Sequence, residues 1–466
     1  MEERVTADGS SATPDARRYW CAWALTGEGT ANARPGVLVE VDGGRIAAVR
    51  SAAEPPPDAE RLPGLTMPGM ANAHSHAFHR ALRGRTGERG GSFWTWRERM
   101  YQVADRLDPD SYHRLARGVY AEMALAGITC VGEFHYLHHG PGGVRYRDRN
   151  AMSAALVAAA ADAGVRITLL DTCYLSGGLT EDGRRLPLTG PQLRFGDGDV
   201  EAWAGRVADF RPHGDHARVG AAVHSVRAVP ADAIRHIADA ARPNERAVHA
   251  HLSEQPAENS ACLAAHGRTP TELLADTGFL ERTRPTLVHA THLTARDAAL
   301  ISGVAARVCL CPTTERDLAD GCPPLDLLAD VPLVLGSDGH STIDMFEEAR
   351  GVEAHERLRT GRRGHVPAER LLDALHRPGH TALGWPDAGS ITPGARADLV
   401  NIDLDGVRLA GLDPHRAADG LVAAGAAAAV RHVMADGRWI VRDGRHRTVP
   451  DAASRLDAEI RALTST

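Results

Sequence analysis

The chain has 466 residues, 43% hydrophobic and 24% charged, with a formal net charge of −7. None of its 53 strongly basic residues is lysine; every one is arginine. That absence excludes a Walker A phosphate loop, a lysine Schiff base, a protein kinase and a metal pair bridged by carbamylated lysine. The mild acidity argues against a general nucleic-acid binder.

Residues 1–16 are polar and read as a disordered leader, without the apolar core of a signal peptide. Val37 to Val49 reads as two strands around a Gly43-Gly44 turn, and Pro55-Pro56-Pro57 breaks the pattern. From residue 69 to 389, short apolar runs alternate with Ala/Leu/Arg stretches of helical period. Strand candidates lie near Met67–His76 and in runs ending at Glu133, Asp171, His224, His251, His289, Cys311 and Asp338. Eight β/α units over this length predict an α/β fold with a (β/α)8 TIM-like barrel, although a doubly wound sheet carries the same local signature. After residue 390 the chain turns β-like again, at Ala397–Ile402 and at Val430–Val441 with a turn at Asp436-Gly437. Segments 17–68 and 390–450 are therefore expected to form one small β-sandwich domain beside the barrel. Residues 451–466 read as a C-terminal helix.

The seven cysteines are odd in number and contain no Cys-x-x-Cys, which points to a reducing cytoplasm. No apolar run reaches 18 residues, so no membrane partner is expected. The expected partner is a small molecule, and a homodimer is one assembly open to the chain.

Polar residues recur at the C-terminal ends of the apolar runs, which is the active-site face of a barrel. His74-Ser75-His76 places two imidazoles on one side of an extended segment, where both can reach one ion. His249-Ala250-His251 repeats that spacing, and Glu254 follows where the strand should turn, within reach of a proton-shuttle role. Asp338 ends a buried run, as a ligand, a general base or a helix N-cap. His289 also ends a strand. Each has an ordinary structural reading, as a core histidine, a solvated glutamate or a cap. Three histidines and one aspartate on one barrel face, however, make a single-metal site with an open position. Nitrogen-rich ligation favours zinc.

These residues resemble the amidohydrolase superfamily. Pro68 to His76 resembles its first-strand signature, and Gly394 to Val400 and Asp436 to Val441 resemble its β-domain return. Within it the chain is most similar to the formimidoylglutamate deiminase family. The segments that carry this are His74 to Ala81, Ser92 to Arg97 through Tyr101, Gly132 to His139, Val223 to Val229, His251 to Gln255 and Gly336 to His340. The resemblance implies one divalent metal ion, zinc for preference, held by His74, His76, His251 and Asp338. It implies proton transfer by Glu254, with His289 beside the attacking water and Asp338 holding a proton. It implies a substrate shell of Arg97, Tyr136, His224 and Arg227, to which His79 is added as a substrate contact. Such a shell suits a dianion, because arginine binds carboxylate in bidentate fashion. His79 is a departure, since the family's better-known form has glutamine there. Gly339 is another, where serine is common.

The activity implied is hydrolytic deimination of N-formimino-L-glutamate to N-formyl-L-glutamate and ammonia, a step of histidine degradation. The alternatives are a deaminase of a nucleobase or other heterocycle in the same superfamily and, further off, a metal-binding barrel without catalysis.

Overall fold

The structure is a computed structural model that describes residues 17–27, 32–87, 91–240 and 246–465. The leader expected over 1–16 lies outside the described residues, as does Thr466 of the C-terminal segment. Four strands open the chain: β1 (Arg17–Ala24), β2 (Arg34–Asp42), β3 (Arg45–Ser51) and β4 (Glu60–Pro68). β2 and β3 form the hairpin expected around Gly43 and Gly44, whose φ values of 53° and 81° suit glycine.

The barrel strands follow: β5 (Met70–Ser75), β6 (Ile128–His135) and β7 (Arg166–Cys173). A two-residue hairpin of β8 (Gly178–Leu179) and β9 (Arg185–Leu186) leads to β10 (Ala217–Val223), β11 (Val248–Leu252), β12 (Thr286–His289), β13 (Arg307–Leu310) and β14 (Leu333–Leu335). The eight barrel strands pair in parallel in chain order. A parallel bridge between Ser75 and Asp338 joins the first strand to the end of the last, so the sheet closes. Asp338 N donates to His74 O at 3.0 Å and His76 N to Asp338 O at 3.2 Å. Closure thus sets two predicted ligand segments side by side. β6 and β7 are buried at every position, as strands must be when side chains fill the barrel inside and helices cover it outside.

The strand expected over Met67–His76 is split. Met67 and Pro68 end β4 in the second sheet, and β5 begins at Met70. Gly69 is the joint: a Cβ there would sit 2.4 Å from Thr129 Oγ1 and 2.8 Å from Asp398 Cβ. Glycine is required because the backbone passes this close to its neighbours.

The second sheet runs β18-β17-β16-β15-β4-β1-β2-β3, using β15 (Leu399–Ile402), β16 (Val430–Ala435), β17 (Arg438–Arg442) and β18 (Arg445–His446). β4 joins the two chain ends, pairing in parallel with β1 and antiparallel with β15. The sandwich form comes from one continuous sheet that folds over its own core of Cys21, Val39, Leu62, Leu399 and Met434. Its turn-back is tied by Ile46 N to Ala395 O and Ala397 N to Gly44 O, both 2.9 Å. A buried Arg166–Asp398 pair fastens this domain to the lower end of the barrel. The helix Ala452–Thr464 closes the chain. No helix among the described residues is long and apolar enough to cross a membrane.

Candidate active site

His74 lies near the end of β5 and His76 just after it, His251 lies on β11, and Asp338 follows β14. The barrel brings all four together. The Nε2 atoms of His74 and His251 are 3.1 Å apart, and Asp338 Oδ1 is 3.3 Å from Nε2 of both His74 and His76. Two bonds of ~2.1 Å at a tetrahedral angle place donor atoms roughly 3.4 Å apart. The tautomers agree with such a centre. His76 Nδ1 is 2.8 Å from Phe134 O, and His251 Nδ1 is 2.9 Å from His224 O. A carbonyl only accepts, so each Nδ1 carries the hydrogen and each Nε2 turns a lone pair inward. Lone pairs converging on a carboxylate repel one another unless a cation lies between them. Burial drives the His74 imidazole down to about 3 and lowers His76 as well, which keeps both in the neutral, ligating form. The residues present therefore fit one divalent ion.

Glu254 lies in the turn after β11, with Oε1 3.7 Å from Nε2 of His289. Burial raises its carboxyl, against the opposing pull of His289 and Arg227. His289 Nδ1 is 3.3 Å from Glu315 Oε1, which also accepts Cys311 N at 2.8 Å. Burial lowers the His289 imidazole, but the carboxylates of Glu254, Glu315 and Asp338 outweigh it and hold it well above its ordinary value. Ser253, His289, Ala290, Asp338 and His340 all have positive φ, between 40° and 71°. Backbone that L-residues avoid is thus concentrated where the strands end at the site.

The expected substrate shell faces the same space. A small cavity is lined by His79, Arg97, Tyr136, His224 and Arg227 together with Glu254, His289 and Asp338. Arg97 sits on the helix α1 (Phe93–Arg106), its guanidinium 4.5 Å from the Trp94 ring centre and 5.7 Å from that of Tyr101. Its Nε is buried without a hydrogen-bond partner among the described residues. Arg227 bridges two buried carboxylates, at 3.4 Å from Glu254 Oε2 and 3.4 Å from Glu258 Oε2. His79 Nε2 is 2.9 Å from the Tyr136 hydroxyl, and the His224 and Tyr174 rings pack 4.5 Å apart.

Two further histidines near the strand ends lie elsewhere. His249 faces the Ala382 carbonyl at 3.2 Å, in the lower barrel, and His292 faces Asp320 O at 2.8 Å. Three other residues were not anticipated. Glu315 fixes His289, Glu258 fixes Arg227, and the buried Arg194 donates to Leu107 O at 2.5 Å and to His139 O at 2.8 Å, pinning the end of α1. A larger cavity of about 1080 Å³ lies between the second sheet and the opposite end of the barrel, against Arg218 and Trp385. It contains none of the strand-end residues.

The amidohydrolase family model matches residues 65–440. The chain belongs to the amidohydrolase family. It is 38% identical over 402 residues to a formimidoylglutamate deiminase of Pseudomonas aeruginosa, covering 83% of this chain and 87% of that one. An 8-oxoguanine deaminase of the same organism is 30% identical over 87% of this chain and 89% of its own length. A 5-methylthioadenosine/S-adenosylhomocysteine deaminase of Halobacterium salinarum is 28% identical over 91% and 93%. Among solved structures, an amidohydrolase from Brucella melitensis superposes with a TM-score of 0.83 at 30% identity, over 96% of this chain and 100% of that one. An adenosine deaminase from Xanthomonas campestris with bound zinc gives 0.78 at 23% identity, over 96% and 98%. Family and relatives together make this amidohydrolase a hydrolase with the (β/α)8 barrel that the sequence implied.

Proposed function

We propose that this amidohydrolase removes the imino nitrogen of N-formimino-L-glutamate by hydrolysis, giving N-formyl-L-glutamate and ammonia in histidine degradation. The observation that carries the reading is the pair Arg97 and Arg227 lining one small cavity with Glu254, His289 and Asp338. A heterocycle has no need of two guanidinium groups, whereas the two carboxylates of a glutamate moiety match them. The similarity to the Pseudomonas enzyme supports the same choice. The proteins named as deaminases of other substrates leave the reaction type common and the substrate to be decided by this shell.

His74, His76, His251 and Asp338 would hold one ion, and zinc suits three nitrogens and an oxygen. When bound, the ion supplies a Lewis acid that makes a water nucleophilic at neutral pH. The chain's own residues do the rest. Arg97 and Arg227 fix the carboxylates and so place the formimino carbon near Glu254. The water oxygen bonds to that carbon while Glu254 takes its proton and passes it to the departing nitrogen. His289, held cationic by three carboxylates, stabilises charge on the oxygen of the adduct. Asp338 then takes the proton left on that oxygen and returns it to the nitrogen as the carbon–nitrogen bond breaks, so ammonia leaves and the formyl carbonyl forms. Seven cysteines without a disulfide among them fit a reducing cytoplasm. Ammonia release from N-formimino-L-glutamate by zinc-loaded protein tests the reading. Absence of turnover, with rapid turnover of a purine, overturns it.

A further inference from the structure

Tyr101, Tyr174 and Gln192 are absent from the shell described above, yet both tyrosines line the same cavity. Gln192 is buried in the short turn Gly190–Arg194. Its Nε2 lies 3.2 Å from Gly177 O, 3.1 Å from the Tyr101 hydroxyl and 3.4 Å from the Tyr174 hydroxyl. The carbonyl of Gly177 only accepts, so this atom is the amide nitrogen. Its oxygen partner is Thr189 N, at 3.3 Å, which fixes the same orientation from the other side. One amide hydrogen serves Gly177, and the other is shared between the two phenol oxygens. Both phenols therefore accept from Gln192, and neither can donate back to it.

Each phenol keeps one hydrogen to give, and neither has an acceptor for it among the described residues. Tyr101 lies four residues from Arg97 on α1, so the two share a helix face. Tyr174 packs on His224 and lies close enough to Arg227 and Arg97 to feel both cations, while burial pushes its phenol up and keeps it protonated. Two donor hydroxyls beside two cations, with no acceptor among the described residues, form a binding surface for anionic oxygen.

We propose that Tyr101 and Tyr174 are carboxylate-binding donors, aimed into the cavity by Gln192, and that they complete the recognition of a ligand with two carboxylates. This rests on the proposed function for its natural substrate, though not for its test. Glutarate, which carries two carboxylates at the spacing found in glutamate, is the probe, and its dissociation constant is read by calorimetry on the zinc-loaded protein. Tyr101→Phe and Tyr174→Phe keep the rings and each should weaken glutarate about tenfold or more, the effect of one hydrogen bond to a charged group. Zinc content and melting temperature should stay unchanged in both.

Gln192 acts through the phenols, as a positioning residue. Gln192→Met should weaken glutarate roughly threefold, and that effect should vanish when both tyrosines are already phenylalanine. Glutarate bound equally well by wild type and both phenylalanine variants overturns the inference. An undiminished effect of Gln192→Met in the double phenylalanine background overturns the role given to Gln192. If the wild type releases no ammonia from N-formimino-L-glutamate while glutarate binding still depends on the tyrosines, the substrate reading fails and the donor role is supported.

Discussion

Arg97 and Arg227 should respond differently to the same substitution, because their surroundings differ. Arg97 rests on Trp94 and Tyr101 and has no carboxylate partner among the described residues, whereas Arg227 lies 3.4 Å from each of two buried carboxylates. In the proposed function, Arg97→Met removes a cation whose counter-charge is a substrate carboxylate. A hydrogen bond to a charged group is worth about 1.5–3 kcal/mol. That converts to a loss of roughly 10- to 150-fold in kcat/KM for N-formimino-L-glutamate. Stability should change by no more than about 0.5 kcal/mol, as for a substitution that breaks no buried pair. Arg227→Met takes away the same kind of substrate contact and also strands Glu254 and Glu258. Breaking a buried pair from one side costs about 3–5 kcal/mol, a large part of the ~5–15 kcal/mol that holds a domain folded. Steady-state ammonia release measures the first quantity and urea unfolding of the zinc-loaded protein the second. Arg97→Met with kcat/KM within twofold of wild type would refute the carboxylate role. Arg227→Met as stable as wild type would refute the reasoning from buried charge.

Further outcomes follow from the same geometry. Glu254→Gln should keep its metal, measured by elemental analysis, and lose turnover by about 10²–10⁴-fold, the usual contribution of a proton-transfer group; loss of the ion would make Glu254 a ligand. Glu315→Gln keeps the shape beside His289 but removes the charge 3.3 Å from it, and should lower kcat by about 10- to 100-fold with KM little changed. Asp320 is buried, and that burial, with Glu254 nearby, pushes its carboxyl up to about 9. Its folded-state value lies above the unfolded one, so the folded protein holds the extra proton. The stability this gives is complete below pH ~4 and is lost as pH rises towards the folded value. Asp320→Asn should flatten that fall in a pH series of urea melts.

Much of the barrel is legible in the sequence because its signals are local. Apolar runs end in His, Glu or Asp, and the His74-Ser75-His76 spacing forces both rings to one side of a strand. The strand ends therefore name most of the residues that meet at the site. Glu315 is not legible in this way. It sits on a helix after β13, and its partner His289 ends β12, 26 residues earlier. No pattern in either segment encodes their contact, which exists through the neighbouring positions of β12 and β13 in the closed sheet. Gln192 is hidden for a similar reason, since its loop meets Tyr101 and Tyr174 only when α1 packs across the barrel mouth. The split between β4 and β5 is also invisible in the apolar run Met67 to Ala73. It depends on Gly69 passing Asp398, more than 300 residues later. Local periodicity finds the elements, and pairings distant in sequence decide which sheet and which partner each one takes.

Selection of the substrate by a shell built for two carboxylates, at a shared hydrolytic centre, is what the proposed function turns on. Its most direct measurement is a comparison of kcat/KM by the zinc-loaded protein for N-formimino-L-glutamate, 8-oxoguanine and 5′-methylthioadenosine, read as released ammonia. N-formimino-L-glutamate should be preferred by about 10³-fold or more, as expected when two charge-assisted contacts are lost together. Comparable or faster turnover of either heterocycle would contradict it.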